Sequence, residues 1–317
     1  MKAIKSNNAR WIPWLSALLL AVVMVLSGEA WGAPPVESGP IACTVSSPVY
    51  SATYSPFASA NNVTALSFDV TCTRSTSLIA TTVAYSVRSL NGSYPSGGGN
   101  NAQLSGLPPK LIAYDLYLDS TCTTLWKGPD RITNTRLFLP DGETKASAMH
   151  TFYVCVPAAQ TSVVFGAPYT DSAVLEIVNV SGNPGTPNVR NQTNGLLNVS
   201  INVPKVCNMS TQPGPVAFGT YAAFGSEKKA SSTFGVKCTN AATYEMALTD
   251  GNGRPLTTGV VAGLSYTLAL SVATGTGNGA EIFHKINGTM PAKQAGSCAN
   301  GGCSGTKSNT HYLTVTY

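Results

Sequence analysis

Pro48-Val49-Tyr50-Ser51-Ala52-Thr53-Tyr54-Ser55-Pro56-Phe57 and Pro215-Val216-Ala217-Phe218-Gly219-Thr220-Tyr221-Ala222-Ala223-Phe224 spell one frame, P-V-x-x-x-T-Y-x-x-F, twice in the chain. Each copy follows a cysteine, Cys43 or Cys207, and closes on a second matched run. That run is Phe68-x-Val70-x-Cys72-Thr73 in the first copy and Phe234-x-Val236-x-Cys238-Thr239 in the second. Twenty-four positions separate Pro48 from Cys72 and twenty-three separate Pro215 from Cys238, so one indel distinguishes the copies. The reading is a duplicated unit that opens with a disulfide-closed pair of strands.

Outward from the repeat, the period is two. Leu66, Phe68 and Val70 alternate with polar residues, Leu111 to Leu118 is a strong strand, and Leu197, Val199, Ile201 and Val203 share one face. Leu78 to Val87, Thr151 to Val156 and Ala173 to Val180 are further strands of the first copy. In the second, strands are expected at Phe234 to Thr239, Tyr244 to Leu248, Leu264 to Val272 and Tyr312 to Tyr317. Leu111-x-x-Tyr114-x-Leu116 matches Leu264-x-Tyr266-x-Leu268, and Leu197-x-Val199 matches Leu313-x-Val315. Thr133 to Asn194 has no clear counterpart. Asn91-Gly92, Asp141-Gly142, Asp250-Gly251 and the glycine-rich Gly275 to Gly279 punctuate the strands. Only 10% of residues are charged. The expected fold is all-β, two sandwiches in tandem, with domains over 33–204 and 205–317.

Lys2, Lys5 and Arg10 precede an apolar run from Trp11 to Leu26, and small residues near Ala30 and Gly32 follow, so residues 1–32 read as a signal peptide. Cleavage after Ala30 and after Gly32 are both open, and a retained membrane anchor is the alternative. Beyond the signal, 33–204 carries 8 basic and 9 acidic residues and 205–317 carries 8 and 4. Neither balance suggests nucleic acid. Eight cysteines in an exported chain read as disulfides. The duplication pairs Cys43 with Cys72 and Cys207 with Cys238. Elimination leaves Cys122 with Cys155 and Cys298 with Cys303, whose four-residue spacing does not fit a redox or zinc site.

Catalytic or metal-binding patterns do not emerge, and no cofactor is implied. His150, His284 and His311 lack ligand spacing and read as surface histidines in turns. There is no nucleophile elbow, and the glycine run at 275–279 lacks the Lys-Ser/Thr of a phosphate loop. A binding or structural protein is the expectation, not an enzyme.

The frame Cys…P-V-x-F-G-x-Y…F-x-V-x-C-T, with Tyr114-Asp-Leu116-Tyr117, Trp126, Gly128 and the closing Tyr312-Leu-Thr-Val-Thr-Tyr317, resembles the spore coat protein U domain. That family includes subunits of archaic, Csu-type chaperone–usher pili. The resemblance implies immunoglobulin-like pilin sandwiches, the second lacking a strand that an adjacent subunit supplies by strand addition. It implies a periplasmic chaperone, an outer-membrane usher, an adjacent strand-donating pilin and an abiotic or host surface as partners. It places Leu313, Val315 and Tyr317 beside the groove, with the chaperone holding the Tyr317 carboxylate. Residues 33–42 hold three prolines and read as a poor donor strand, which implies the fibre tip. Csu-type tips bind surfaces through apolar fingers. The candidates are Leu104 to Pro109 (Leu104, Leu107, Pro108, Pro109), Val164 to Tyr169 (Phe165, Pro168, Tyr169) and Gly182 to Val189 (Pro184, Pro187). These loops are expected to cluster at the end away from Cys207. The rival reading is a coat or matrix protein that does not polymerise by strand donation.

Overall fold

The structure, a computed structural model, describes residues 41–75, 80–106, 108–128, 132–182, 189–297 and 305–317. The expected signal peptide, Leu107, Pro184, Pro187 and the Cys298–Cys303 pair lie outside these residues. The described residues contain strands and no helix.

The first core is wrapped by β1 (Ile41–Val45), β2 (Val49–Thr53), β3 (Asn62–Arg74), β4 (Thr81–Ser89), β5 (Asn100–Leu104) and β6 (Lys110–Tyr117). It continues through β7 (Ile132–Leu139), β8 (Lys145–Val156), β9 (Gly166–Ser181), β10 (Val189–Thr193) and β11 (Gly195–Val203). One layer runs β10-β1-β3-β8-β6. The other holds β7, β4, β9, β11 and β2, and β5 joins the two by pairing with both β6 and β9. Alternation is clean along β11, where Leu197, Val199, Ile201 and Val203 are buried and the residues between them are not. Trp126 fills the centre, stacked on Phe68 with ring centroids 5.6 Å apart, its Nε1–H donating to Val87 O.

The second core is built from β12 (Cys207–Thr211), β13 (Lys228–Cys238), β14 (Thr243–Thr249), β15 (Thr258–Val261), β16 (Leu264–Leu270), β17 (Thr274–Thr276), β18 (Glu281–Met290) and β19 (Tyr312–Thr316). Its layers are β12-β13-β18-β16-β15 and β17-β14-β19.

Cys43–Cys72 and Cys207–Cys238 each join directly opposed positions of neighbouring strands, and Cys122–Cys155 ties the loop after β6 to β8. Each bridge closes a loop of 29 to 33 residues. Closure of that length removes about 3–4 kcal/mol of unfolded-chain freedom on the entropy account.

Three expectations are corrected here. Ile41 and Ala42 belong to β1, so a strand begins inside the proline-rich stretch 33–42. The stretch from Thr133 to Asn194 does have counterparts. β4 pairs with β7 and β9 as β14 pairs with β17 and β19, and β3 pairs with β8 as β13 pairs with β18. The counterpart of β19 is therefore β9, and the match of Leu197-x-Val199 to Leu313-x-Val315 is wrong. Both segments alternate in the same way, and alternation alone does not tell one edge of a sheet from the next.

The histidines are corrected as well. His150 and His284 lie in β8 and β18, not in turns. Each imidazole Nε2 is 2.8 Å from a tyrosine hydroxyl, Tyr85 and Tyr244 respectively, and packs on Phe68 or Phe234. Burial pushes both imidazoles below the ordinary histidine range. The unfolded chain therefore takes up protons that the folded chain refuses. Stability is full above the ordinary histidine value and falls as pH drops below it toward the depressed values. The expected result is a melting temperature that declines below about pH 6.5 and declines less in H150Q/H284Q. An unchanged slope in the double variant would contradict it.

Candidate functional site: an open groove in the second sandwich

The two copies of the P-V-x-x-x-T-Y frame fold differently, and the difference locates the site. In the first copy Val49–Thr53 is a strand, β2, paired in parallel with β11 from Val49 opposite Asn198 to Thr53 opposite Asn202. In the second copy the residues from Pro215 to Tyr221 form no strand. A strand needs an edge to pair with. Among the described residues, nothing in the second sandwich occupies the place of β11.

What stands there is a groove of about 1060 Å³. One wall is the segment Pro213 to Tyr221 and the other is Gly305 to His311 with Leu313. Leu248, Tyr266, Leu268, Ile286 and Met290 form its apolar floor. Burial shows what the vacant place costs. Leu175, opposite Gly195 of β11, and Ile177 of β9 are buried, whereas their counterparts on β19, Leu313 and Val315, are only partly buried. Tyr312 and Tyr317 are each 53% exposed. Val216 and Phe218 partly roof the floor. A Cβ on Gly288 would lie 2.6 Å from Val216 and 2.8 Å from Phe218, so glycine admits this roof. His311 lines the same space, its Nε2 2.7 Å from the Tyr266 hydroxyl and its Nδ1 3.1 Å from Leu256 O. The carbonyl partner makes Nδ1 a donor, and Nε2 meets a hydroxyl that can give or take the bond.

The frame's tyrosine anchors this wall. The Tyr54 hydroxyl donates to Pro157 O at 2.8 Å and accepts from Gln160 N at 3.0 Å. Tyr221 repeats both bonds with Pro291 O (2.9 Å) and Gln294 N (3.1 Å). The glutamine amides complete the lock on Ala113 and on Ser265. Sequence reasoning missed these partners. The signal was present as Pro157-Ala-Ala-Gln160 and Pro291-Ala-Lys-Gln294, the first of them inside the stretch read as lacking a counterpart.

The described residues of two candidate surface loops, Leu104 to Pro109 and Val164 to Tyr169, do not gather at the far end of the first sandwich. Val164 bridges to Asn240, and Phe165 N donates to Asn240 O at 3.1 Å. The Phe165 ring packs against the second core under Lys205. Tyr169 is buried, its hydroxyl donating to Val164 O at 2.6 Å. Leu104 is half-buried, lies opposite Tyr169 and packs on the first core. These residues belong to the junction with the second sandwich, not to a free tip. Pro108, Pro109 and Pro168 are exposed. The register of β3, β8, β4 and β9 puts the turn Pro140–Thr144 and the end of β9 at Ser181 at the opposite end. There the buried Arg74 donates to Glu143 O, Pro140 O and Thr81 Oγ1 at 2.9, 2.5 and 3.2 Å, pinning the turn.

The family model of the Spore Coat Protein U domain matches residues 39–176 and 193–276. The chain belongs to that family. The spore coat protein U domain thus occurs twice here, once with every strand place filled and once with the groove open. No curated protein matches the chain. Solved structures similar to it include the tip adhesion subunit complex CsuC–CsuE of archaic Csu pili of Acinetobacter baumannii, at 18% identity and TM-score 0.42, covering 87% of this chain and 100% of that one. The CupB6 tip adhesin from Pseudomonas aeruginosa is similar at 11% identity and TM-score 0.36, covering 88% of this chain and 96% of that one.

Proposed function

We propose that the chain is a two-domain tip adhesin of an archaic chaperone–usher pilus, with the boundary at 204/205. The first domain binds a surface, abiotic or host, and promotes cell attachment and biofilm formation. The second anchors the chain to the fibre by accepting a strand from an adjacent pilin. The observation that carries this reading is the groove standing where the first sandwich holds β11. Filling it with four or five apolar side chains would gain roughly 1.5–3 kcal/mol each. That sum rivals the whole stability of a domain, about 5–15 kcal/mol. A subunit of this kind leaves the inner membrane needing a periplasmic chaperone at the groove, and then an outer-membrane usher to exchange it for a neighbour.

The role is one of binding and assembly, not catalysis. Surface contact is assigned to the end of the first domain held by Arg74, which carries Pro140–Thr144.

Periplasmic expression tests the reading. Alone, the chain should aggregate or be degraded, and a chaperone encoded with it should restore soluble protein as a one-to-one complex. A stable monomer without help would favour the rival reading, a coat or matrix protein that does not polymerise by strand donation.

A further inference from the structure

Only Pro204, Lys205 and Val206 lie between the end of β11 and the start of β12. A tether of that kind turns about its own backbone bonds, so by itself it would be a hinge. The contacts around it remove that freedom. Thr239, fully buried, holds the tether: its hydroxyl donates to Pro204 O at 3.1 Å and accepts from Val206 N at 3.2 Å. Its own amide donates to Val206 O at 2.9 Å. The next residue, Asn240, holds the loop between β8 and β9. Its Nδ2 donates to Ser162 O at 2.8 Å, and its carbonyl accepts from Phe165 N. A third attachment is Phe57, just beyond β2, whose ring centroid is 4.9 Å from Lys237 Nζ.

Neither side of this clasp has slack. Val163 is buried in the first core, Val164 O takes the Tyr169 hydroxyl, and Gln160 is tied to Tyr54 and Ala113, so the loop is part of the first sandwich. On the other side, Asn240 stands two residues after the bridged Cys238, Ala241 N donates to Gly277 O, and Gly277 N donates to Ala242 O. The glycine run at 275–279, which carries no phosphate-loop lysine, is the seat of the clasp. A Cβ on Gly277 would overlap the Thr239 carbonyl, and one on Gly279 would overlap the Thr161 carbonyl. The two sandwiches meet this closely only because glycine stands there. After Cys72-Thr73 the place of Asn240 is taken by Arg74, which pins a turn of its own sandwich instead.

We propose that the two sandwiches turn as one rigid body, locked by the clasp of Thr239 and Asn240 on the loop Thr161 to Phe165. The direction in which the first sandwich faces is then set by the second, whatever either one binds. The attachments come from three separate segments of the first sandwich: the residues after β2, the loop before β9 and the exit of β11. Bending the joint requires all three to part, and Phe165 to leave the second core.

Nitrogen-15 relaxation on the full chain tests this, by asking whether one rotational diffusion tensor describes the amides of both sandwiches. The comparison is between two halves of one molecule, so it serves for the free chain and for one held soluble by a chaperone. The unchanged chain should need a single tensor. Asn240→Ala/Phe165→Ala and Gly279→Ala should each need two, while β3 and β13 keep their hydrogen-exchange protection. In both variants the amide at position 165 should exchange at least about a hundredfold faster than in the unchanged chain. Separate tensors in the unchanged chain would overturn the proposal. So would a single tensor in both variants with that amide as protected as before. Where a variant loses protection in β13 it has unfolded, and the tumbling of the unchanged chain decides alone.

Discussion

Leu175→Ala should cost the first sandwich about 2–5 kcal/mol, whereas Leu313→Ala should cost the second less than half of that in the free chain. The two leucines occupy the same place in the two copies, Leu175 opposite Ser89 of β4 and Leu313 opposite the corresponding Leu248 of β14. Leu175 is fully buried under β11, so truncation leaves a cavity lined by side chains that cannot collapse. Leu313 stands on the open groove with part of its surface already in solvent. Truncating it removes less buried area and creates no sealed void. Urea unfolding followed by limited proteolysis, which reports each sandwich separately, measures both costs. Once a strand fills the groove, the Leu313→Ala cost should rise to that of Leu175→Ala. Equal costs in the free chain would show that Leu313 is already packed as tightly as its counterpart.

Removing the matched disulfides should also separate the halves. Cys43 with Cys72 and Cys207 with Cys238 join equivalent strands over loops of 29 and 31 residues, so each loss weakens its sandwich by about 3–4 kcal/mol. The first sandwich has a full complement of strands to absorb the loss. The second lacks the contacts a filled groove would supply, so the same loss is a larger share of a smaller stability. The variant with serine at positions 207 and 238 should yield, on limited proteolysis, a protected fragment ending near Lys205. The variant with serine at 43 and 72 should keep both sandwiches folded, with a lowered unfolding midpoint in the first. Two variants that unfold alike would contradict the asymmetry.

Much of this architecture was legible in the sequence. Paired frames with matched cysteines announce two copies, and alternation at Leu66–Val70 and Leu197–Val203 announces strands. The open groove was foreseen only through the resemblance, because a place without residues leaves no pattern to read. The match of Leu197-x-Val199 to Leu313-x-Val315 fails for a related reason. Leu197-x-Val199 and Leu313-x-Val315 alternate identically, and only the pairing of β9 with β4 and of β19 with β14 tells that one is the added strand and the other its neighbour. β18 escaped notice because Phe283, 61% exposed, and the polar residues around His284 blur its period. Phe165 and Tyr169 looked like surface fingers because an apolar loop with glycine and proline reads the same whether it meets solvent or another domain. Here it meets Asn240 and the second core.

Hydrogen–deuterium exchange on the free chain tests the central claim most directly, by comparing the amides of β19 with those of Ala173 to Ile177 in β9. The account predicts that β19 and the segment Val216 to Tyr221 exchange at least about a hundredfold faster than the β9 amides, and that a bound apolar strand closes the gap. Comparable protection of both strands in the free chain would mean that the groove is not open, and the account would be wrong.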